Sequence, residues 1–154
     1  MGFLIFYPLV FAFIIYLIGR FHRNLRDYAV FFVVISEFLL ALYLATSYDP
    51  HMIMVFDINE FAGFGIHFIM DGFRSVYICV TAFAWMITTI FSKQYFEHYH
   101  NRNRYYMFLL LTLGATMGVF LSADLYTTFI FFEMMSFTSY VCVAHDERKE
   151  SLRA

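Results

Sequence analysis

Two glutamates stand where a charge is hardest to keep. Glu37 and Glu133 each lie near the middle of a long apolar run, while the other charged residues sit in connections or near run ends. A charge at the centre of a membrane helix costs roughly 2.5–3.5 kcal/mol even on the lenient insertion scale. Such a carboxyl needs a partner, a watery cavity or its own proton. Burial moves a carboxyl pKa up toward neutrality, where a proton can be both taken and given. The chemistry on offer is proton exchange.

Steps of three and four residues from Glu133 place Tyr126, Phe129, Glu133, Ser136 and Tyr140 on one helix face. Four of these five carry a hydroxyl or carboxyl, against an apolar stretch of Phe131, Phe132, Met134 and Met135. Glu133, Ser136 and Tyr140 are therefore the expected proton-transfer group. The plainer alternative is that the hydroxyls only hydrogen-bond to neighbouring helices. Glu37 is a possible second acid, although its helical neighbours Val33, Val34, Leu40 and Ala41 supply no polar stripe.

The remaining candidates read as structural. Asp71 and Arg74 open an apolar run at a spacing that permits a pair, with Asp71 placed to cap orphan amides. Gly114 and Gly118, four apart, allow close helix packing. Cys79 and Cys142 lie inside separate runs, with no Cys-x-x-Cys pair. The histidines His22, His51, His67, His98, His100 and His145 all fall in connections or at boundaries, so no haem ligation is expected. His98 and His100 beside Glu97 read as a solvated loop. No metal and no cofactor are expected.

The elements that position these groups follow from composition. Of the 154 residues, 62% are hydrophobic and 14% charged, 22 are Phe, and mean hydropathy is +0.67. A soluble domain of this size lacks the interior to hide so much apolar surface. Crossing a hydrocarbon core takes roughly 20 apolar residues in helical form. Five such runs are present, over about 3–19, 28–47, 72–91, 105–122 and 125–144. None alternates as a barrel strand would. The expected fold is all-α: a single polytopic membrane domain over 1–154, a bundle of about five transmembrane helices. The first run lacks a preceding basic residue and a small-residue cleavage pattern, and reads as a retained span.

Loop charges suggest the orientation. Arg20, Arg23 and Arg26 lie in the first connection and Lys93, Arg102 and Arg104 in the third. The second, from Tyr48 to Asp71, holds Asp49, Asp57, Glu60 and Asp71 and no Lys or Arg. The positive-inside rule places the N-terminus outside and the C-terminus inside. The half-apolar second connection suits either the outer interface or a position tucked against the bundle. Net charge is −2, so no nucleic-acid partner is expected.

Several strings resemble a known family. Asp71-Gly72-Phe73-Arg74-Ser75 resembles, with one residue inserted, the Asp-Gly-x-Ser stretch of antiporter-like proton channel subunits. A longer match runs from Tyr95 to Val143. It includes Arg102-Asn103-Arg104-Tyr105-Tyr106, Gly114, Met117-Gly118, the turn Ser122-Ala123-Asp124-Leu125, and Phe131-Phe132-Glu133-Met134-Met135-Ser136 through Tyr140. That last string is similar to the fifth helix of the subunits found in complex I, membrane-bound hydrogenases and multisubunit sodium/proton antiporters. The resemblance implies that Glu133 is the ion-handling acid of a first half-channel. Family subunits carry further spans in two inverted repeats, including a lysine helix that pairs with this acid, and no such helix is present in this sequence. The later helices are then expected from a second polypeptide, or the chain is truncated relative to the family.

The expected function is that of a membrane subunit of a proton- or sodium-translocating complex in a bacterial or archaeal cell membrane, partnered by lipid and other membrane subunits. The alternative is a non-transporting structural subunit that packs the bundle.

Overall fold

The computed structural model describes residues 1–47, 53–58, 65–95 and 102–143. They form α1 (Gly2–Phe21), α2 (Arg23–Ser47), β1 (Met54–Ile58), β2 (Ile66–Met70), α3 (Gly72–Tyr95), α4 (Arg102–Leu121) and α5 (Leu125–Val143). Asp49, His51, Glu60, Glu97, His98, His100, His145 and the basic tail residues lie outside the described residues.

α4 is the hub. α1, α3 and α5 pack on it, while α2 lies against α1 and α3. Every residue from Leu109 to Gly118 is buried. Its two glycines explain how neighbours come so close. A Cβ at Gly114 would meet the Leu9 side chain at 2.7 Å and the Ile5 carbonyl oxygen at 3.0 Å, and one at Gly118 would strike the Phe131 ring. Close backbone approach is what holds membrane helices together when lipid is as apolar as leucine.

Four helices, α1 to α4, are long and apolar enough to cross a membrane. α5 is also long enough, but Glu133 and its hydroxyl-bearing residues lower its mean hydropathy.

The helices outrun the apolar runs. The basic segment Arg20–Asp27, expected as a connection, is almost wholly helical, and only His22 interrupts it with an extended backbone. Two of its charges, Arg26 and Asp27, are paired. Arg26 lies 2.6 Å from Asp27, and Arg102 of α4 reaches the same carboxylate at 3.1 Å. The Arg26 guanidinium also covers the Tyr106 ring, and Asn103 donates to the Tyr16 carbonyl at 2.9 Å. Paired in this way, the charges let the helix ends stay packed.

A hairpin departs from the all-α expectation. β1 and β2 pair antiparallel, with Phe56 opposite Phe68. Ile66, Phe68 and Met70 are buried and alternate with half-buried His67 and Ile69, while β1 is largely exposed. Phe68 packs on Phe131 at 5.6 Å, and the His67 carbonyl accepts from Ala123 N–H at 2.8 Å. The described part of the second connection therefore tucks against the bundle. The period-two pattern of three apolar residues is the physical reason.

Candidate functional site

α5 starts from a firm cap. The Asp124 carboxylate accepts the Thr127 N–H at 2.7 Å and the Thr127 hydroxyl at 2.8 Å. These donors hold Asp124 below its ordinary carboxyl pKa. From that anchor one side of α5 packs inward through Thr127, Phe131 and Thr138. The hydroxyls of Thr138 and Thr112 meet at 3.0 Å, which ties α5 to α4.

The other side faces away from the described residues. Phe129, Phe132, Glu133, Ser136, Phe137 and Tyr140 are all exposed, and Tyr126 is half-buried. Glu133, Ser136 and Tyr140 thus share one open face. None of the three has a hydrogen-bond partner among the described residues. Phe132, read as part of the apolar stretch opposite the polar face, is exposed on the open side beside Glu133. The helix turn, at 100° per residue, carries it there.

Glu37 has the opposite setting. It is 0% exposed on the packed side of α2, and neither carboxyl oxygen has a partner among the described residues. Among the described residues no shared base contacts the two glutamates. Asp71 and Arg74 come together at the start of α3, with Arg74 N–H donating to Asp71 at 2.7 Å. The Arg74 guanidinium also reaches the carbonyls of Ile69, Leu121 and Ser122, so it closes the C-terminal end of α4. Among the described residues no group of three His, Cys, Asp or Glu is placed to hold a metal ion.

Two polar assemblies were not visible in the chain order. One is the Arg26, Asp27, Arg102 and Asn103 cluster, whose members lie some 75 positions apart. The other is His67, whose Nδ1 lies 2.8 Å from Asp57 across the hairpin. Only the alternating Ile66, Phe68 and Met70 could have hinted at the second.

Comparison with known proteins bears directly on the open face. No family model matches the chain. It is 27% identical over 133 residues to a Na+/H+ antiporter subunit of Alkalihalophilus pseudofirmus, covering 86% of this chain and 27% of the relative. It is 26% identical over 151 residues to a second Na+/H+ antiporter subunit, from Staphylococcus aureus, covering 94% of this chain and 19% of the relative. The chain is a relative of the antiporter-like membrane subunits. A chain of the membrane-bound sulfane sulfur reductase, an archaeal respiratory membrane complex, shares the fold. That match has a TM-score of 0.82 at 19% identity and covers 99% of this chain and 31% of that one. The chain is an integral membrane protein. It spans about a fifth to a quarter of the length of the curated relatives it matches.

Proposed function

We propose that this chain is a membrane subunit of a proton- or sodium-translocating complex in a bacterial or archaeal membrane, and that Glu133 is the acid at which the ion is handled. The observation that carries this reading is an acid at mid-helix on the side of α5 that the described residues leave open, beside Ser136 and Tyr140. An ionised carboxyl facing lipid is expensive. A covering partner that offers a lysine, a histidine or ordered water removes that cost. Other membrane subunits are therefore the expected partners. The names of the antiporter relatives support an ion-translocating role.

The chemistry needs little machinery. The carboxyl takes up an ion from a hydrated path on one side of the membrane and releases it toward the partner helices. The Ser136 and Tyr140 hydroxyls hold the water that carries it. With the basic helix ends on the inner side, α1 starts outside. Cysteine labelling at Asn24 and Asp57 checks this, and equal labelling of both from outside would overturn it.

Glu133→Gln tests the mechanism. It keeps a polar group of similar size but cannot be loaded with a proton. In vesicles containing the assembled complex, transport is expected to stop while assembly is unchanged. Full translocation by an assembled Glu133→Gln complex would favour a subunit that only packs the bundle.

A further inference from the structure

Glu37 shares its helix face with Val30, Val33, Val34 and Ala41. It is the one described side chain whose polar atoms are all buried and all without a hydrogen-bond partner. Arg102 and Asn103 each leave one buried atom unpaired, yet Arg102 reaches Asp27 and Asn103 reaches the Tyr16 carbonyl. Ser36, the preceding residue, meets the Tyr7 hydroxyl at 2.8 Å and donates to the Val33 carbonyl. The buried Thr89, Thr112, Thr116 and Thr138 all return hydroxyls to backbone carbonyls. Among the described residues the fold thus satisfies these polar groups and leaves the Glu37 carboxyl without a partner. Packing supplies no reason for it, since a leucine fills similar space without the desolvation cost.

Its depth is informative. Thr112 meets Thr138 and Gly118 meets Phe131, so Glu133 lies level with Thr116 or Met117 on α4. Gly114 abuts Ile5 and Leu9, and Tyr7 meets Ser36, which carries the same level across α1 to Glu37 or Phe38. The two carboxyls therefore occupy one layer of the bundle, within about one helical turn or ~5 Å along the helix axes. Phe38 packs on Phe83, so α3 presents residues 81–88 at this level, and α4 presents 112–119. Neither stretch contains an ionisable residue. On α1 the titratable groups toward this end are Tyr7 and the Met1 amino group.

We propose that Glu37 is a second proton-exchanging acid of this chain, held in the same membrane layer as Glu133. The step is the transfer of one proton between the carboxyl and water that reaches it when the bundle opens. An O–H bond forms at a carboxyl oxygen as one breaks in hydronium, and release reverses this. The proposal rests on the reading of Glu133 as an ion-handling acid, and its test separates the two.

Glu37→Gln, Glu37→Leu and Glu133→Gln are made in the complete membrane assembly from its native membranes, and each is scored for assembly, for ion transport in vesicles, and by infrared difference spectroscopy. Both Glu37 variants are expected to assemble and to lose transport to the level of empty vesicles. Glu37→Gln should also remove a protonated-carboxyl band that Glu133→Gln leaves in place. Wild-type transport by assembled Glu37→Gln, with Glu133→Gln inactive, overturns the role of Glu37 alone. An active Glu133→Gln with an inactive Glu37→Gln overturns the reading of Glu133 instead, and two active variants overturn both. Failure of the near-isosteric Glu37→Gln to assemble, or an unchanged carboxyl band, also counts against the proposal, because the acid would then serve packing.

Discussion

The two sides of α5 have the same backbone and similar residues, yet they are built for different neighbours. On the inner side Phe131 presses on Gly118 and Phe68, Thr138 meets Thr112, and Thr127 completes the Asp124 cap. On the outer side Phe129, Phe132, Phe137 and Tyr140 are equally large, but no described element of this chain touches that side closely enough to bury them. Size and hydrophobicity do not decide which aromatic belongs to the core. What decides is the presence of a small residue opposite, here Gly118, that gives the ring somewhere to go.

Breaking the inner side should have the largest effect. Phe131→Ala removes a ring buried against Gly118 and Phe68 and is expected to cost about 3–5 kcal/mol. Gly118→Leu fills the same place from the other helix and should also loosen the α4–α5 pair, at about 1–3 kcal/mol or more. Unfolding in mixed micelles measures both. A loss below that of an outer-side substitution would show that the two sides are not different.

The cap comes next. Asp124→Ala removes two acceptors from the first turn of α5 and is expected to cost about 0.5–2 kcal/mol. Its pH dependence has a definite sign. Because the folded state holds this carboxyl below its ordinary value of 3.8, the contribution is fully present above that pH. It is lost as pH falls through the lower folded value. The stability gap between wild type and Asp124→Ala should be constant near neutrality and close below about pH 4. A gap that instead opens on acidification contradicts the assigned hydrogen bonds.

The smallest effect on the chain itself should come from the outer side. Phe132→Ala and Ser136→Ala are expected to change its own unfolding by no more than about 0.5 kcal/mol. Phe132→Ala should instead weaken recovery of the chain with its partner subunits, and Ser136→Ala should slow transport less than Glu133→Gln does. Co-purification and vesicle transport distinguish these outcomes.

The amino-acid order by itself determined the solvent, the class and the acids. Apolar run length demands helices that cross lipid, because an unpaired backbone has no place there. A glutamate at mid-run is conspicuous because its cost does not depend on its neighbours. The shared face of Glu133, Ser136 and Tyr140 also follows from helical period alone. Other features required distant partners. The Arg20–Asp27 segment reads as a loop until Arg102 and Tyr106 arrive from α4 to pair with its charges. The hairpin reads as a plain connection until Phe68 finds Phe131. Phe131 and Phe132 are adjacent and identical in chemistry, and it is Gly118 and Phe68 from other elements that make the Phe131 side the core. Glu37 shows the same limit most sharply. That it is an acid in a membrane span is local and legible, whereas its lack of a partner among the described residues, and its place in one layer with Glu133, come from the packing register of α1, α2, α4 and α5. Register between helices is set by which side chains interlock, and no periodicity within one helix encodes it.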